Sequence, residues 1–167
     1  MASDAIVVTA VAGIGGVSTA IDLRTRRIPN ALTLGLSALG VTLAATHVSN
    51  VTVAGALFGF LVGLLIMLPG HFIGATGAGD VKLFAAIGTL LGPRAMVSAF
   101  LYTAIAGGAL AIVISLQRRL LRETVGRAFA LVRTAGANVG DIERAAVNRF
   151  AYAPAIAIGS LAAALGL

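Results

Sequence analysis

VTVAGALFGFLVGLLIMLPGHFI, residues 51–73, contains no Asp, Glu, Lys or Arg. A helix crosses the roughly 30 Å hydrocarbon layer in about 20 apolar residues, so this run is long enough to be one span. Four further apolar runs, at 5–21, 31–46, 95–116 and 150–167, read the same way. A sixth, at 81–91, is short and stops at Gly92-Pro93, a helix stop followed by a helix start. Charged residues make up only 11% of the chain, against about a quarter in a soluble domain, and mean hydropathy is +1.02. The expected fold is all-α: a polytopic membrane protein of six transmembrane helices in a single domain over residues 1–167. Its turns fall at 24–30, 47–50, 74–80 and 92–94, and a cytoplasmic loop covers 117–149.

The basic residues orient the spans. With both termini outside, eleven of the twelve fall on the cytoplasmic side: Arg24, Arg26, Arg27, Lys82, Arg118, Arg119, Arg122, Arg127, Arg133, Arg144 and Arg149. Arg94 alone falls outside. Cytoplasmic loops carry the excess of Lys and Arg, so this orientation is the expected one. The net charge of +6 is thereby assigned to topology, and no nucleic-acid partner is expected. The first run has Asp4 and no basic residue before it, so it reads as a retained helix rather than a cleavable signal. Within the long loop, Arg118, Arg119, Arg122, Glu123, Arg127 and Arg133 take one half of a helical projection. Leu120, Leu121, Val125, Ala128, Leu131 and Val132 take the other, which predicts an amphipathic helix lying on the anionic inner leaflet.

The chemistry is sought among the acids. Asp22 ends the first run in I-D-L-R-T-R-R-I-P-N, and Asp80 closes G-A-T-G-A-G-D ahead of the short run. Two spans separate them, which puts both on the cytoplasmic face. An ionisable group at the edge of a membrane helix is costly and is read as functional by default. The run 81–91 covers only about 18 Å, which sinks Asp80 below the inner surface and makes 74–79 a re-entrant loop. Such backbone survives only inside protein or along a wet cavity. Gly77 and Gly79 are expected to give positive φ and close approach of an extended peptide. Lys82, Arg27, Pro29 and Asn30 are the remaining candidates for binding substrate or shaping the loops. Helix-end electrostatics make Asp80, before a helix, the resting carboxylate and Asp22, after one, the resting acid.

Other chemistries are excluded or weaker. Without cysteine there is no disulfide, thiolate zinc site or cysteine nucleophile. His47 and His71 are expected on opposite faces, so neither metal nor cofactor is anticipated. Two nearby carboxyls share a proton, and such a pair can activate water for peptide hydrolysis. A small proton- or ion-coupled transporter is the alternative, but it calls for acids near mid-span and internal repeats.

The D-x-R-x-R-x-I-P-N pattern at 22–30, together with G-A-G-D-V-K-L at 77–83, resembles the type IV prepilin peptidases, aspartyl proteases with a G-x-G-D motif. The resemblance is to the short branch serving tight-adherence (Flp-type) pili, and it extends to Tyr152-Ala153-Pro154-Ala155. It implies Asp22 and Asp80 as the catalytic pair. It also implies an inner-membrane, multi-pass enzyme that removes a short basic leader from a membrane-inserted prepilin at the cytoplasmic face. Longer members carry a cytoplasmic segment with paired cysteines and also methylate the new pilin N-terminus. Here the first cytoplasmic loop is only 23–30 and no cysteine exists, which implies a peptidase alone.

Overall fold

The computed structural model describes residues 2–117 and 152–167, and among these the only regular elements are helices. They are α1 (Ala2–Thr25), α2 (Asn30–Ala45), α3 (Val53–Phe72), α4 (Ala78–Gln117) and α5 (Ala153–Ala164). The expected amphipathic helix and nearly all of the 117–149 loop lie outside the described residues.

The ends of the helices follow from local chemistry. Pro29 caps α2 in an extended conformation, and Asn30 begins the helix, as the sequence suggests. Thr52 caps α3 by accepting the Gly55 N–H. After α3, Gly74 takes φ 74° and donates to the His71 carbonyl, while Ala75 donates to Gly70. This is a Schellman stop, with glycine in the left-handed position where a Cβ would be strained. α1 ends differently: Arg26 is left-handed at φ 53° and closes a single N–H bond of 2.9 Å onto the Asp22 carbonyl. Pro69 and Gly70 do not end α3, which continues through them to Phe72.

The turn expected at 92–94 is present, confined to one residue, Gly92, at φ 74° and ψ 171°. Along a straight helix Phe84 and Phe100 would stand about 24 Å apart. Their ring centroids are 6.4 Å apart, edge to face. α4 is therefore a hairpin of two antiparallel arms, 78–91 and 93–117. Every residue from 83 to 90 is buried, which makes the short first arm the centre of the protein. Leu83, Phe84, Ile87 and Leu90 form its core with Val11, Leu36, Met67, Met96 and Ile156.

Bare backbone permits this depth of packing. A Cβ on Gly59 of α3 would fall 2.0 Å from the Gly88 carbonyl oxygen, and one on Gly88 would fall 2.2 Å from the Gly59 oxygen. Gly63 meets Ala85 and Met96, and Gly40 of α2 meets Thr89. Gly59 and Gly63, a small-xxx-small pair on α3, thus meet Gly88 and Ala85 of α4 at backbone contact. Outward, Phe58, Leu65 and Ile105 are each more than 60% exposed, an apolar coat suited to lipid rather than water. α1 and α3 are long and apolar enough to cross a membrane, and within the apolar α4 only the 93–117 arm has the length to do so, while α2 and α5 are apolar but shorter, at 16 and 12 residues.

Candidate active site

Asp22 lies one turn before the end of α1 and is 6% exposed. α1 can approach α5 closely because Gly15 leaves room for Ala157, whose Cβ would be 2.9 Å from a Cβ on Gly15. That contact brings the start of α5 to Asp22. The N–H of Ala153, the first residue of α5, donates to Asp22 Oδ2 at 3.3 Å. One turn earlier Ser18, wholly buried, returns its hydroxyl to the Ile14 carbonyl of its own helix.

Asp80 lies in the first turn of α4, not before the helix as the sequence suggests, because α4 already begins at Ala78. Its Oδ2 accepts the Gly77 N–H at 3.1 Å, the reciprocal half of a capping box. The preceding loop is tied down by main-chain bonds to the end of α3 and by a 3.1 Å contact from His71 Nδ1 to the Thr76 carbonyl. Neither Gly77 nor Gly79 has positive φ; that conformation belongs to Gly74. Their bareness serves packing instead. A Cβ on Gly77 would stand 3.0 Å from the Asp80 carboxylate, and one on Gly79 would stand 3.2 Å from Ile28 Cβ.

Ile28 belongs to the connection that follows Asp22, so the two sequence motifs interlock. Lys82 Nζ donates to Asn30 Oδ1 at 3.1 Å, a second bridge between them. Pro29 sets the start of α2, and Arg27 is exposed, its backbone N–H held by the Thr25 hydroxyl at 3.3 Å. The C-terminal end of α1, the first turn of α4 and the first turn of α5 thus meet at one end of the bundle. Both acids take a main-chain N–H at the amino end of a helix. Helix position therefore does not separate their roles, contrary to the expectation that Asp22 faces only a helix C-terminus.

Two contributors escape a reading of the sequence. Ala153 is an alanine whose contribution is its backbone N–H, invisible to any motif. Tyr152, next to it, has its hydroxyl pushed above its ordinary pKa by burial and then by the charge of Asp80, and its ring packs on Gly107 of the second α4 arm. The visible signal was an aromatic residue directly before the helix-starting Ala153-Pro154. Among the described residues no three His, Cys, Asp or Glu side chains gather as a metal site.

The chain matches the type IV leader peptidase family over residues 9–112, more than half its length. It is 39% identical over 113 residues to the prepilin leader peptidase/N-methyltransferase of Pectobacterium carotovorum subsp. carotovorum, an overlap of 64% of this chain and 39% of that protein. The protein of the same description from Burkholderia pseudomallei strain 1026b is 37% identical over 110 residues, or 61% of this chain and 35% of its own. The chain thus aligns with well under half the length of these relatives. No solved structure matches it.

Proposed function

Because the chain belongs to the type IV leader peptidase family, we propose that it is an aspartyl endopeptidase that removes the basic leader from Flp-type prepilins. Two buried or half-buried acids at one end of an apolar bundle, each on a helix-start N–H, are the observation that carries this reading. Asp22 and Asp80 act as a pair. One carboxylate takes a proton from water as its oxygen adds to the scissile carbonyl, and the other, protonated, gives its proton to the carbonyl oxygen. Collapse of the resulting diol breaks the C–N bond, and the departing nitrogen takes up a proton from the pair.

The chain sits in the inner membrane as a single domain of six passes with both termini outside, and its acids open to the cytoplasm. The distribution of Arg and Lys supports this orientation. The enzyme is a peptidase alone: the link between the first two helices is short, and the paired cysteines of longer members have no counterpart. Lys82, Asn30 and Gly77 hold the site together. The helix-end position of both acids does not favour a transporter, which calls for acids near mid-span. Co-expression with a candidate prepilin tests the proposal. The pilin should shift to its processed mobility, and an unshifted pilin would sink it.

Chelation with EDTA should leave the cleavage rate unchanged. His47 lies between α2 and α3 and His71 in the last turn of α3, separated by nearly the whole length of that helix, roughly 30 Å, and they cannot share an ion. Loss of activity restored by zinc would overturn the two-acid chemistry. Gly79→Val should act through Ile28. The added methyls push the loop following Asp22 away from the first turn of α4, lowering cleavage about tenfold while costing about 1–2 kcal/mol of stability. Thermal unfolding and cleavage measured on one preparation check this, and native cleavage would show that the contact does not set the site.

A further inference from the structure

α1 and α4, which carry the two acids, scarcely touch, whereas α5 packs against both. Beyond the Ile28–Gly79 and Lys82–Asn30 contacts, the relative placement of Asp22 and Asp80 is therefore also transmitted through α5, most directly through its first residues. Ala153 is fully buried and bonded to Asp22, so it cannot shift without taking the carboxylate's partner with it. Tyr152, immediately before it, is half-buried and seated on the second arm of α4. A Cβ on Gly107 would stand 2.7 Å from Tyr152 Cε2 and 3.1 Å from its hydroxyl oxygen, so any side chain at 107 would push the ring from this seat.

We infer that Tyr152 is a positioning residue: its ring, seated on Gly107, fixes the start of α5 and thereby sets where Asp22 stands relative to Asp80. The inference rests on Asp22 and Asp80 being the catalytic pair. An aromatic residue near a membrane surface is commonly an interfacial anchor. An anchor would govern insertion and stability, and the rate of the chemical step would not depend on it. A positioning residue changes kcat, because displacing a catalytic group by about 1 Å lowers the rate about a hundredfold.

The test is kinetic, on the full chain in detergent with a prepilin substrate. Tyr152→Phe keeps the ring and should retain kcat within about threefold. Tyr152→Ala should lower kcat about a hundredfold with KM within about threefold, on the same geometric sensitivity. Gly107→Ala, which drives the ring off its seat, should lower kcat about tenfold, and should add nothing in the Tyr152→Ala background because both changes break one contact. Native kcat in Tyr152→Ala overturns the assignment, as does a loss in Tyr152→Phe equal to that in Tyr152→Ala, or full additivity of the two changes. If Tyr152→Ala does not fold, Tyr152→Phe and Gly107→Ala still decide: native kcat in Gly107→Ala overturns the role of the seat. Asp22→Asn and Asp80→Asn are run alongside. Cleavage by either one removes the acid pair itself, an outcome distinct from failure of Tyr152 alone.

Discussion

Asp22→Asn and Asp80→Asn, introduced singly, should each lower prepilin cleavage by about a thousandfold or more, within the range by which general acid–base groups accelerate reactions. The amide oxygen of Asn can still accept the Ala153 N–H at position 22 and the Gly77 N–H at position 80, so the local fold is retained. What is lost is the ability to take up or release a proton. Asp22→Leu separates the two contributions. It leaves the buried Ala153 N–H without an acceptor, which costs about 1–3 kcal/mol, so this variant should be both inactive and less stable. Equal thermal stability of native and Asp22→Asn protein, beside lost cleavage in a co-expression assay, is the expected pattern. Processing by either Asn variant would remove that residue from the chemistry.

Gly88→Leu should prevent the protein from reaching its native fold. The Gly59–Gly88 crossing is backbone against backbone, with a Cβ on either residue about 2 Å from a carbonyl oxygen. No rotamer relieves such a clash; only separation of α3 from α4 does. Even Gly88→Ala should cost about 3 kcal/mol or more, at or above the upper end of overpacking effects. Gly13, Gly16 and Gly35 provide the control, since a Cβ at any of them meets nothing within 4 Å. Alanine there should be neutral or stabilising by about 0.5–1 kcal/mol, the difference in helix preference. Thermal unfolding of detergent-solubilised variants checks both. A native melting temperature for Gly88→Leu would mean that the helices cross elsewhere.

The limits of sequence reading follow from which interactions are local. The helix stop and start at Gly92-Pro93 were legible, because they are decided within a turn of chain. The short run 81–91 was seen, but not its central position, since hydropathy measures dislike of water and does not distinguish lipid from protein as the neighbour. Gly77 and Gly79 were expected at positive φ, which neither adopts. Gly77 packs on Asp80 within one turn of chain, but the contact of Gly79 with Ile28 joins residues far apart in the chain. The pair Gly59/Gly63 and the small residues Ala85 and Gly88 that it crosses are both written in the sequence. Nothing local says that one meets the other. The Ala153 N–H could not be read at all, because every residue but proline carries the same donor.

The hairpin at Gly92 bears on how the protein is made. Its first arm is only 14 residues long and sealed by protein along 83–90. At about 21 Å it is too short to stretch across a bilayer by itself as the ribosome delivers it. It gains a stable place only when the 93–117 arm folds back beside it and α3 offers Gly59. Biogenesis of this protein is therefore not a sequence of independent insertions. The segment bearing Asp80 must wait for its neighbours, so the end of the bundle that holds both acids can be completed only after the surrounding helices are in place.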